Sequence, residues 1–390
     1  MKTDYKLYCT GCGLCQSEGY TSFFENAKGF LFPDEVNRDM ISFCNQCCPM
    51  GKNGIKEHSG DSVWGDYKGF WTAYSSNHSI RTHSSSGGII TTLCCWLLEN
   101  NIVDGVIQIR GKIDNPTDTE IIVSKNINEV KSCSGSRYTR SSPLLNFDRY
   151  IDGLSKFAFV GKPCDCVALR NYMEINPKAK ESILFLFSFF CAGTPSQEAN
   201  TKLLKRLNVP PNECSSLVYR GDGWPGYTKA ISSNGKESII DYQTAWMDIL
   251  GRDIRYCCKF CFDSIGEKAD ISAGDYWFLN AQGKPDFTER DGRNCVFAWT
   301  EKGKELFNKI VDDGDIFIED ETIDKLNQAQ SNHFNRRSTL YTKLTILKLF
   351  KKPVPNYPNK ELIKFVHFNS FINQARTAKG TIERIIKGQI

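Results

Sequence analysis

Cysteine residues near the start of the chain carry the clearest chemical signal. Cys9, Cys12 and Cys15 form a C-x2-C-x2-C run, and Cys48 stands directly before a proline. Bacterial ferredoxins use this kind of run to wrap a loop around an iron–sulfur cubane, and a cysteine followed by proline belongs to the same pattern. We therefore predict that these four cysteines bind one [4Fe–4S] cluster.

Zinc is the alternative ligand for this region. Cys9 and Cys12 could combine with a second C-x2-C pair, Cys44 and Cys47, into a four-thiolate zinc site. The stretch between the pairs is longer than the usual zinc-ribbon gap, and zinc leaves Cys15 without a role. Iron–sulfur chemistry is therefore favoured, while the roles of Cys44 and Cys47 stay open.

A second set of cysteines follows predicted strands. Cys164 comes just after "KFAFVG" and Cys191 just after "ILFLFSFF". Because the carboxyl ends of parallel strands line one crevice, both could meet there, and the pair Cys258 and Cys261 would complete a second [4Fe–4S] site. Buried cysteines with one small zinc site are the alternative. Two neighbouring cysteines compete for the same places: Cys166 and Cys257.

A run of small residues precedes a predicted helix. The segment "THSSSGGIITTL" places Ser85, Ser86, Gly87 and Gly88 before a helical apolar pattern. Free N–H groups and the helix dipole favour an anion at such a start, and glycine allows close approach to the backbone. We expect a flavin diphosphate or a phosphorylated substrate there. Ordinary N-capping by Ser86 is the structural alternative.

Three charged residues are further ligand candidates. Arg137, in "SGSRYTRSS", could pair with a phosphate, and Lys162, in "GKPC", could pair with a flavin or substrate. Asp275 could face a ligand or cap a turn. Surface roles are the alternative for the arginine and the lysine.

Strands and helices must position these groups. Apolar strand patterns such as "IVDGVIQI" alternate with helical patterns such as "QEANTKLLKRL", which predicts an α/β domain with a largely parallel sheet. Residues 1–60 are poor in periodic apolar residues, so a metal must hold them. We divide the chain into a ferredoxin-like module at 1–60, an α/β catalytic domain at 61–330 and a helical extension at 331–390.

Composition excludes several classes of protein. The chain has 390 residues, 40% hydrophobic and 24% charged, with a net charge of +4, as in globular proteins without a basic nucleic-acid face. Its longest apolar run is far shorter than the roughly 20 residues of a membrane helix. No signal peptide is recognised, so we expect a cytoplasmic protein that binds neither nucleic acid nor membrane.

The motifs together resemble the beta-subunit family of coenzyme F420 hydrogenases and dehydrogenases. The resemblance rests on "CTGCGLC" with "CCPMG", "SSSGGIITTL", "GSRY", "GKPCDCVALR", "FFCAGTPS" and "CKFCFDSIGEKADISAGDYW", in the family's order. The closing segment is similar to the bacterial polysaccharide-associated branch, which puts F420 itself in doubt as substrate. Many members have two full ferredoxin runs at this end, whereas this chain has one.

The resemblance implies cofactors and roles for particular residues. It implies two [4Fe–4S] clusters and FAD in an α/β flavin-binding domain. It supports the second cysteine set, Cys164, Cys191, Cys258 and Cys261, as ligands of the cluster beside the flavin. The residues that it places near the flavin or in its pocket are Ser86, Gly87, Gly88, Arg137 and Tyr138.

The function that follows is that of an iron–sulfur flavoprotein oxidoreductase. Electrons from reduced ferredoxin or an F420-type donor are expected to pass through both clusters to FAD and to a small organic substrate by hydride transfer. A non-catalytic electron-transfer subunit of a larger complex is the alternative. The sequence leaves the substrate and the oligomeric state, including a homo-oligomer, open.

Overall fold

The computed structural model describes residues 4–390, in which the strands and helices have the following bounds. The strands are β1 (Phe23–Glu25), β2 (Leu31–Pro33), β3 (Gly69–Ser75), β4 (Gly105–Gly111), β5 (Thr119–Ser124), β6 (Phe157–Gly161), β7 (Ile183–Phe189), β8 (Cys214–Val218), β9 (Tyr227–Ser232), β10 (Glu237–Asp241), β11 (Ile271–Asp275), β12 (Asn294–Ala298) and β13 (Ile316–Glu319). The α-helices are α1 (Leu14–Ser17), α2 (Arg38–Cys47), α3 (His78–His83), α4 (Ile89–Glu99), α5 (Ile127–Ser132), α6 (Pro163–Met173), α7 (Pro177–Ser182), α8 (Gln197–Arg206), α9 (Glu301–Asp312), α10 (Ile323–Ala329), α11 (Ser331–Leu349), α12 (Asn359–Ile363) and α13 (Phe371–Ile386).

Short 3-10 segments and one π-helical segment complete the helical structure. The 3-10 segments are Lys52–Gly54, Phe147–Tyr150, Pro211–Glu213, Leu250–Arg252, Tyr256–Phe260 and Val366–Phe368. The π-helical segment is Thr244–Ile249. Within residues 4–390, no helix combines the length and the apolar character needed to cross a bilayer.

An eight-stranded sheet forms the centre of the fold, in the order β13-β3-β12-β11-β7-β6-β4-β5. Within this sheet, the adjacent strands β11, β7, β6 and β4 pair in parallel. Antiparallel pairing joins β5 to β4, and β12 and β13 to β3. The α/β prediction is confirmed, but the sheet is mixed rather than largely parallel, because β5 returns from β4 as a hairpin and β12 runs against both of its neighbours.

The parallel strands end at one edge of this sheet, which is where a ligand crevice forms in α/β folds. Strand β6 is followed by Lys162, β7 leads to Cys191, and β11 ends at Asp275. Helix α6 begins directly after β6, with Pro163 in its first turn and the Asp165 carboxylate accepting from the N–H of Lys162. This edge therefore collects the chemically active residues of three separate segments.

A second sheet is antiparallel, in the order β10-β9-β8, and the sequence patterns did not predict it. It packs beside α8 on a small core that includes Leu203, Tyr219 and Ala230. Its outer strand β10 alternates between exposed and half-buried residues, with Ile239 exposed, so its apolar signal is weak. The loops that follow β8 and β10 reach the large cavity described below.

The amino-terminal segment shares a hydrophobic core with the central sheet. Leu14, Met40 and Phe43 belong to the same buried cluster as Phe159 and Tyr172. Phe43 also makes an edge contact with the ring of Tyr172, which lies on α6. The short helices and the β1–β2 hairpin are thus held by apolar packing against the larger domain, and the division at residue 60 stays a prediction.

The carboxyl-terminal helices cover one side of the cysteine-containing loops. Helix α11 packs along α13 and buries Arg337, Leu340 and Leu344. The Arg337 guanidinium donates to the Glu267 carboxylate at 2.7 Å. Glu267 lies in the chain between Cys261 and β11. The proline-rich segment after α11 returns to the core, where Tyr357 is buried. The predicted helical extension therefore forms part of the site's enclosure.

Candidate functional site

A cavity of about 530 Å³ lies at the sheet edge where the parallel strands end. Residues from β6, β7 and β11, the start of α4, the loop after β5 and the second sheet all line it. Seven of the eight predicted cofactor residues are among them: Ser85, Ser86, Gly88, Arg137, Tyr138, Lys162 and Asp275. The structure therefore brings together groups that the sequence spreads over almost two hundred positions.

The start of α4 presents backbone rather than side-chain groups. Its N-cap is Gly88, with a φ of 80°, and no side chain caps the helix. Ser86 donates its hydroxyl to the carbonyl of Arg293 at 2.8 Å, so the alternative of N-capping by Ser86 is wrong. The first-turn residues Ile90 and Thr91 line the cavity, and N–H groups in the first turn of a helix lack intrahelical acceptors. This start suits an anionic group.

Gly87 lies where the start of α4 meets the central sheet. A Cβ atom at this position would lie 2.8 Å from the carbonyl oxygen of Ala73 and 2.8 Å from Oδ1 of Asn294. Gly87 does not line the cavity but allows the start of α4 to pack closely on β3 and β12. Ser85, in contrast, faces the loop after β5, where its hydroxyl accepts from the hydroxyl of Ser136 at 2.8 Å.

Arg137 reaches the cavity without an acidic partner among residues 4–390. Its Nη1 donates to the carbonyl of the adjacent Ser136 at 3.1 Å. Burial lowers the pKa of this guanidinium, since there is no carboxylate to stabilise the charge. A guanidinium in this state favours a phosphate or carboxylate ligand. Tyr138 follows it and packs against the rings of Tyr219 and Trp246, which places it in the cavity wall.

Lys162 lies between the large cavity and the nearby cysteines. Its Nζ is 2.8 Å from the Asp165 carboxylate and 2.6 Å from the Ser141 hydroxyl. Burial opposes its protonation, but the charges of Asp165 and of the Cys164 thiol outweigh this and raise the pKa of Lys162. Lys162 therefore stays protonated, and its charge lies between the large cavity and the nearby cysteines.

Asp275 is already occupied by protein donors. Arg220 donates to both carboxylate oxygens at 3.0 and 2.8 Å, and the indole N–H of Trp224 donates at 2.7 Å. The Arg220 side chain also lies over the rings of Tyr242 and Trp277. The Asp275 carboxylate holds Arg220 in place, and protein donors already occupy both of its oxygens. This geometry therefore does not favour the predicted ligand role.

Aromatic residues form a wall of the cavity that sequence reasoning missed. Trp277 stacks on Trp224 with ring centroids 4.5 Å apart and an interplanar angle of 5°. Tyr242 and Phe287 pack against Trp277, and Trp246 adds a further indole. Tyr242 and Trp246 follow β10 of the unpredicted second sheet, whereas Trp277 and Phe287 lie in the loop between β11 and β12. Trp277 ends the "ISAGDYW" segment, but that pattern alone does not mark it as part of a cavity. Together they offer a surface for a planar ring.

The four cysteines of the outer cysteine group, defined as Cys9, Cys12, Cys15 and Cys48, lie near one another, and their role as cluster ligands stays a prediction. Burial raises the pKa of the Cys15 thiol, and the neighbouring thiols of Cys12, Cys9 and Cys48 raise it further. Burial raises the pKa of the Cys47 thiol, and the thiols of Cys12 and Cys48 raise it further. The neighbouring Cys44 thiol and burial raise the pKa of Cys48. The roles of Cys44 and Cys47 therefore stay open in the structure as well.

Zinc stays the alternative ligand of the outer group. Four thiolates around one zinc lie about 3.8 Å apart, given zinc–sulfur bonds of about 2.3 Å in a tetrahedron. In the described part of the chain, no three histidine, cysteine or acidic side chains are arranged to hold one metal ion. The preference for an iron–sulfur cluster therefore rests on the cysteine spacing and stays a prediction.

The inner cysteine group, defined as Cys164, Cys191, Cys258 and Cys261, surrounds a small cavity. Burial and the charges of Asp165, Cys191 and Cys261 raise the pKa of the Cys164 thiol, although Lys162 opposes this shift. Cys191 lines both the small and the large cavity. The inner group therefore adjoins the large cavity directly.

The competing cysteines lie in different surroundings. The Cys166 thiol donates to the carbonyl of Phe187 at 3.5 Å and does not line the small cavity, so it belongs to the packing of α6 on the sheet. Cys257 lines that cavity and donates to the carbonyl of Cys9 at 3.3 Å. It thus connects the inner and outer groups.

Two more residues lie where the two cysteine groups meet. The Arg255 Nε donates to the carbonyl of Cys9 at 2.7 Å, while its guanidinium packs over the rings of Phe30 and Phe32. Burial raises the pKa of the Tyr357 phenol, and the nearby thiols of Cys261, Cys257 and Cys48 raise it further. The outer group, the inner group and the large cavity are therefore consecutive neighbours.

Comparisons with known proteins find F420-dependent redox proteins among the relatives of this chain. The chain is 23% identical over 259 residues to the beta subunit of coenzyme F420 hydrogenase from Methanothermobacter thermautotrophicus, covering 65% of this chain and 84% of the relative. It is 23% identical over 347 residues to the coenzyme F420-dependent sulfite reductase of Methanocaldococcus jannaschii, covering 84% of this chain but only 50% of that enzyme. Both relatives are oxidoreductases or subunits of one.

A solved structure shares the fold. A chain of the F420-reducing [NiFe] hydrogenase complex from Methanosarcina barkeri superposes with a TM-score of 0.58 and 21% identity, over 77% of this chain and 99% of that chain. At this identity the likeness shows the fold alone.

Two family models match consecutive parts of the chain. Residues 70–147 match the N-terminal part, and residues 154–324 the C-terminal part, of the beta subunit of coenzyme F420 hydrogenase/dehydrogenase. The matched spans contain the large cavity's predicted residues and the inner cysteine group, whereas the outer group lies before them. The chain belongs to the coenzyme F420 hydrogenase/dehydrogenase beta-subunit family, a family of redox proteins.

Proposed function

We propose that this chain is an iron–sulfur flavoprotein oxidoreductase that accepts electrons at the outer cysteine group and delivers them to a small organic molecule in the large cavity. One observation carries the proposal: the two cysteine groups and the cavity adjoin one another, through Cys257 at one junction and Cys191 at the other. When bound, two [4Fe–4S] clusters would supply single-electron transfer and FAD would supply hydride transfer.

The chain's own residues have distinct tasks in this proposal. The outer and inner cysteine groups provide the thiolates that the clusters require. The start of α4 and the unpaired Arg137 are suited to the diphosphate of FAD. The aromatic wall excludes water and accepts a planar ring. Arg220 and Asp275 fix that wall through their mutual hydrogen bonds.

The electron donor and the substrate are also part of the proposal. Reduced ferredoxin or an F420-type donor fits the family, and the relatives' names point to F420-linked reactions. The bacterial polysaccharide-associated branch stays a prediction from sequence. A second candidate function is favoured by the match to a subunit of a hydrogenase complex: the chain would then relay electrons within an assembly without converting a substrate itself.

Reduction of bound flavin by ferredoxin tests the route. Ferredoxin is too large to enter the cavity, so its electrons need the cysteine groups. We expect Cys258→Ala and Cys15→Ala to slow flavin reduction at least 10-fold in stopped-flow absorbance measurements without oxygen. Cys214→Ala, on β8, is the matched control and is expected to reduce flavin at the wild-type rate.

The two candidate functions give different outcomes in this experiment. Flavin reduction followed by turnover of a small hydride acceptor supports the enzyme. Flavin reduction without turnover of any acceptor by the isolated chain supports the relay subunit. If the Cys258→Ala protein reduced its flavin as fast as the wild type, the proposed route through the inner group would be wrong.

A further inference from the structure

Two cations lie in the wall of the small cavity that the inner cysteine group surrounds: Lys162 and Arg336. The Lys162 Nζ lies 2.8 Å from the Asp165 carboxylate, which neutralises its charge. At the outer group, the Arg255 Nε donates to the carbonyl of Cys9 at 2.7 Å.

One carboxylate also lines this small cavity. Asp263 is buried there, and its Oδ1 accepts from the backbone N–H groups of Gly266 and Glu267 at 2.8 and 3.0 Å. Because Lys162 is paired with Asp165, Arg336 is the cation of this cavity wall that has no carboxylate partner in the described residues.

Arg336 is held in place by the backbone next to Cys191. Its Nη2 donates to the carbonyl of Ala192 at 2.8 Å and its Nη1 donates to the carbonyl of Cys191 at 3.4 Å. It forms no ion pair within residues 4–390, unlike the neighbouring Arg337, which is paired with Glu267. The positive charge of Arg336 is therefore directed at the inner group instead of being neutralised by a carboxylate.

We propose that Arg336 raises the reduction potential of the inner site. The inference rests on the proposed function, because it requires a [4Fe–4S] cluster in each group. Each cluster gains one electron and one negative charge on reduction, and a nearby cation stabilises the more negative state. A higher potential at the inner site favours electron transfer from the outer group toward the large cavity.

Arg336 is a feature of the helical extension and not of the matched family spans. It lies on α11, whereas the family model for the C-terminal part ends at residue 324. The extension thus contributes a residue that acts on the inner cysteines through space. Its role is that of a positioning residue that sets a potential, without contact to a reacting substrate.

A redox titration followed by electron paramagnetic resonance tests this assignment. The titration uses dithionite as reductant, on the full chain loaded with iron and sulfide, first as wild type and then as Arg336→Gln and Arg336→Lys. The same substitutions in a Cys15→Ala background leave the inner cluster as the source of the signal. The matched control is Arg376→Gln on α13, because Arg376 is exposed and hydrogen-bonds only to Asn373 in the described residues.

The expected result is specific to one cluster and one charge. Arg336→Gln should shift the midpoint potential of the inner cluster, identified in the Cys15→Ala background, to a more negative value and leave the other midpoint unchanged. Arg336→Lys should retain most of the wild-type value, and Arg376→Gln should retain all of it.

Three results would overturn the proposal, and a fourth would overturn its basis. Unchanged midpoints in Arg336→Gln with full iron and sulfide would show that the charge does not set the potential. Equal shifts of both midpoints would show that it does not discriminate between the groups. Loss of the inner cluster in Arg336→Gln and Arg336→Lys alike would make Arg336 a structural anchor. Absence of both clusters from the wild type would instead overturn the proposed function.

Discussion

Arg137 is the residue on which binding of an anionic cofactor depends most in this account. Its guanidinium has no carboxylate partner in residues 4–390 and lies in the wall of the large cavity. A hydrogen bond to a charged group contributes about 1.5–3 kcal/mol. We therefore expect Arg137→Gln to raise the Kd for FAD by about 10- to 100-fold, as measured by quenching of flavin fluorescence on the flavin-free protein.

The control for this substitution is Arg149→Gln, at an exposed arginine in the following loop. It should bind FAD as tightly as the wild type, because its charge does not reach the cavity. Equal FAD affinity in Arg137→Gln and the wild type would remove Arg137 from the proposed cofactor site.

Sequence reasoning identified residues whose role follows from local pattern. Cys9, Cys12 and Cys15 are close in the chain, so their spacing alone predicts convergence. Asp275 was assigned a ligand role because its partner could not be known: Arg220 is 55 positions away and reaches it only through the fold. Long-range pairs of this kind leave no signal in a single sequence.

A buried ion pair between Arg337 and Glu267 connects helix α11 to the segment before β11. The charge of its carboxylate depends on pH. The Glu267 carboxylate lies 2.7 Å from Arg337 and 3.3 Å from the imidazole of His58. Burial alone would raise the pKa of Glu267, but Arg337 and His58 lower it to about 2. Because this pKa is lower than in the unfolded chain, the pair stabilises the fold above about pH 4.5 and loses that contribution as pH falls toward 2.

Removal of this carboxylate should therefore destabilise the protein in a pH-dependent way. Glu267→Gln leaves the Arg337 guanidinium buried without a countercharge, and such a loss costs about 3–5 kcal/mol of unfolding free energy near pH 7. The difference from the wild type should narrow as pH falls below about 4.5, as measured by denaturant unfolding at several pH values. Glu305→Gln, at an exposed position of α9, serves as the control.

A difference between Glu267→Gln and the wild type that stayed constant from pH 7 to pH 3 would contradict the ion-pair explanation. It would mean that Glu267 contributes through packing, since packing does not depend on its protonation.

At the level of elements, apolar patterns predicted the central strands better than the second sheet. Strands such as β6 and β7 are buried by helices on both sides and read as continuous apolar runs, which are easy to recognise. Strand β10 is partly exposed, and its pattern is mixed. Part of the aromatic wall was missed with it, because Tyr242 and Trp246 depend on that sheet for their position.

At the scale of the whole molecule, the order of the parts follows from how distant segments converge. The outer group comes from the first fifty residues, the inner group from three separate segments that include the start of α6, and Arg336 from α11. Sequence order predicted which cysteines belong together, since strand ends share an edge. It did not predict that Cys257 and Arg255 would join the two groups, because that contact depends on the packing of the amino-terminal segment against the domain.

The stoichiometry of the cofactors tests the central claim most directly. The chain would be purified without oxygen, and iron, acid-labile sulfide, zinc and flavin would be measured per polypeptide together with the absorption spectrum. The account predicts about eight irons, about eight sulfides and one FAD, as two cubanes and one flavin require. Zinc without sulfide or flavin would contradict it and would leave a structural metal protein in place of a redox enzyme.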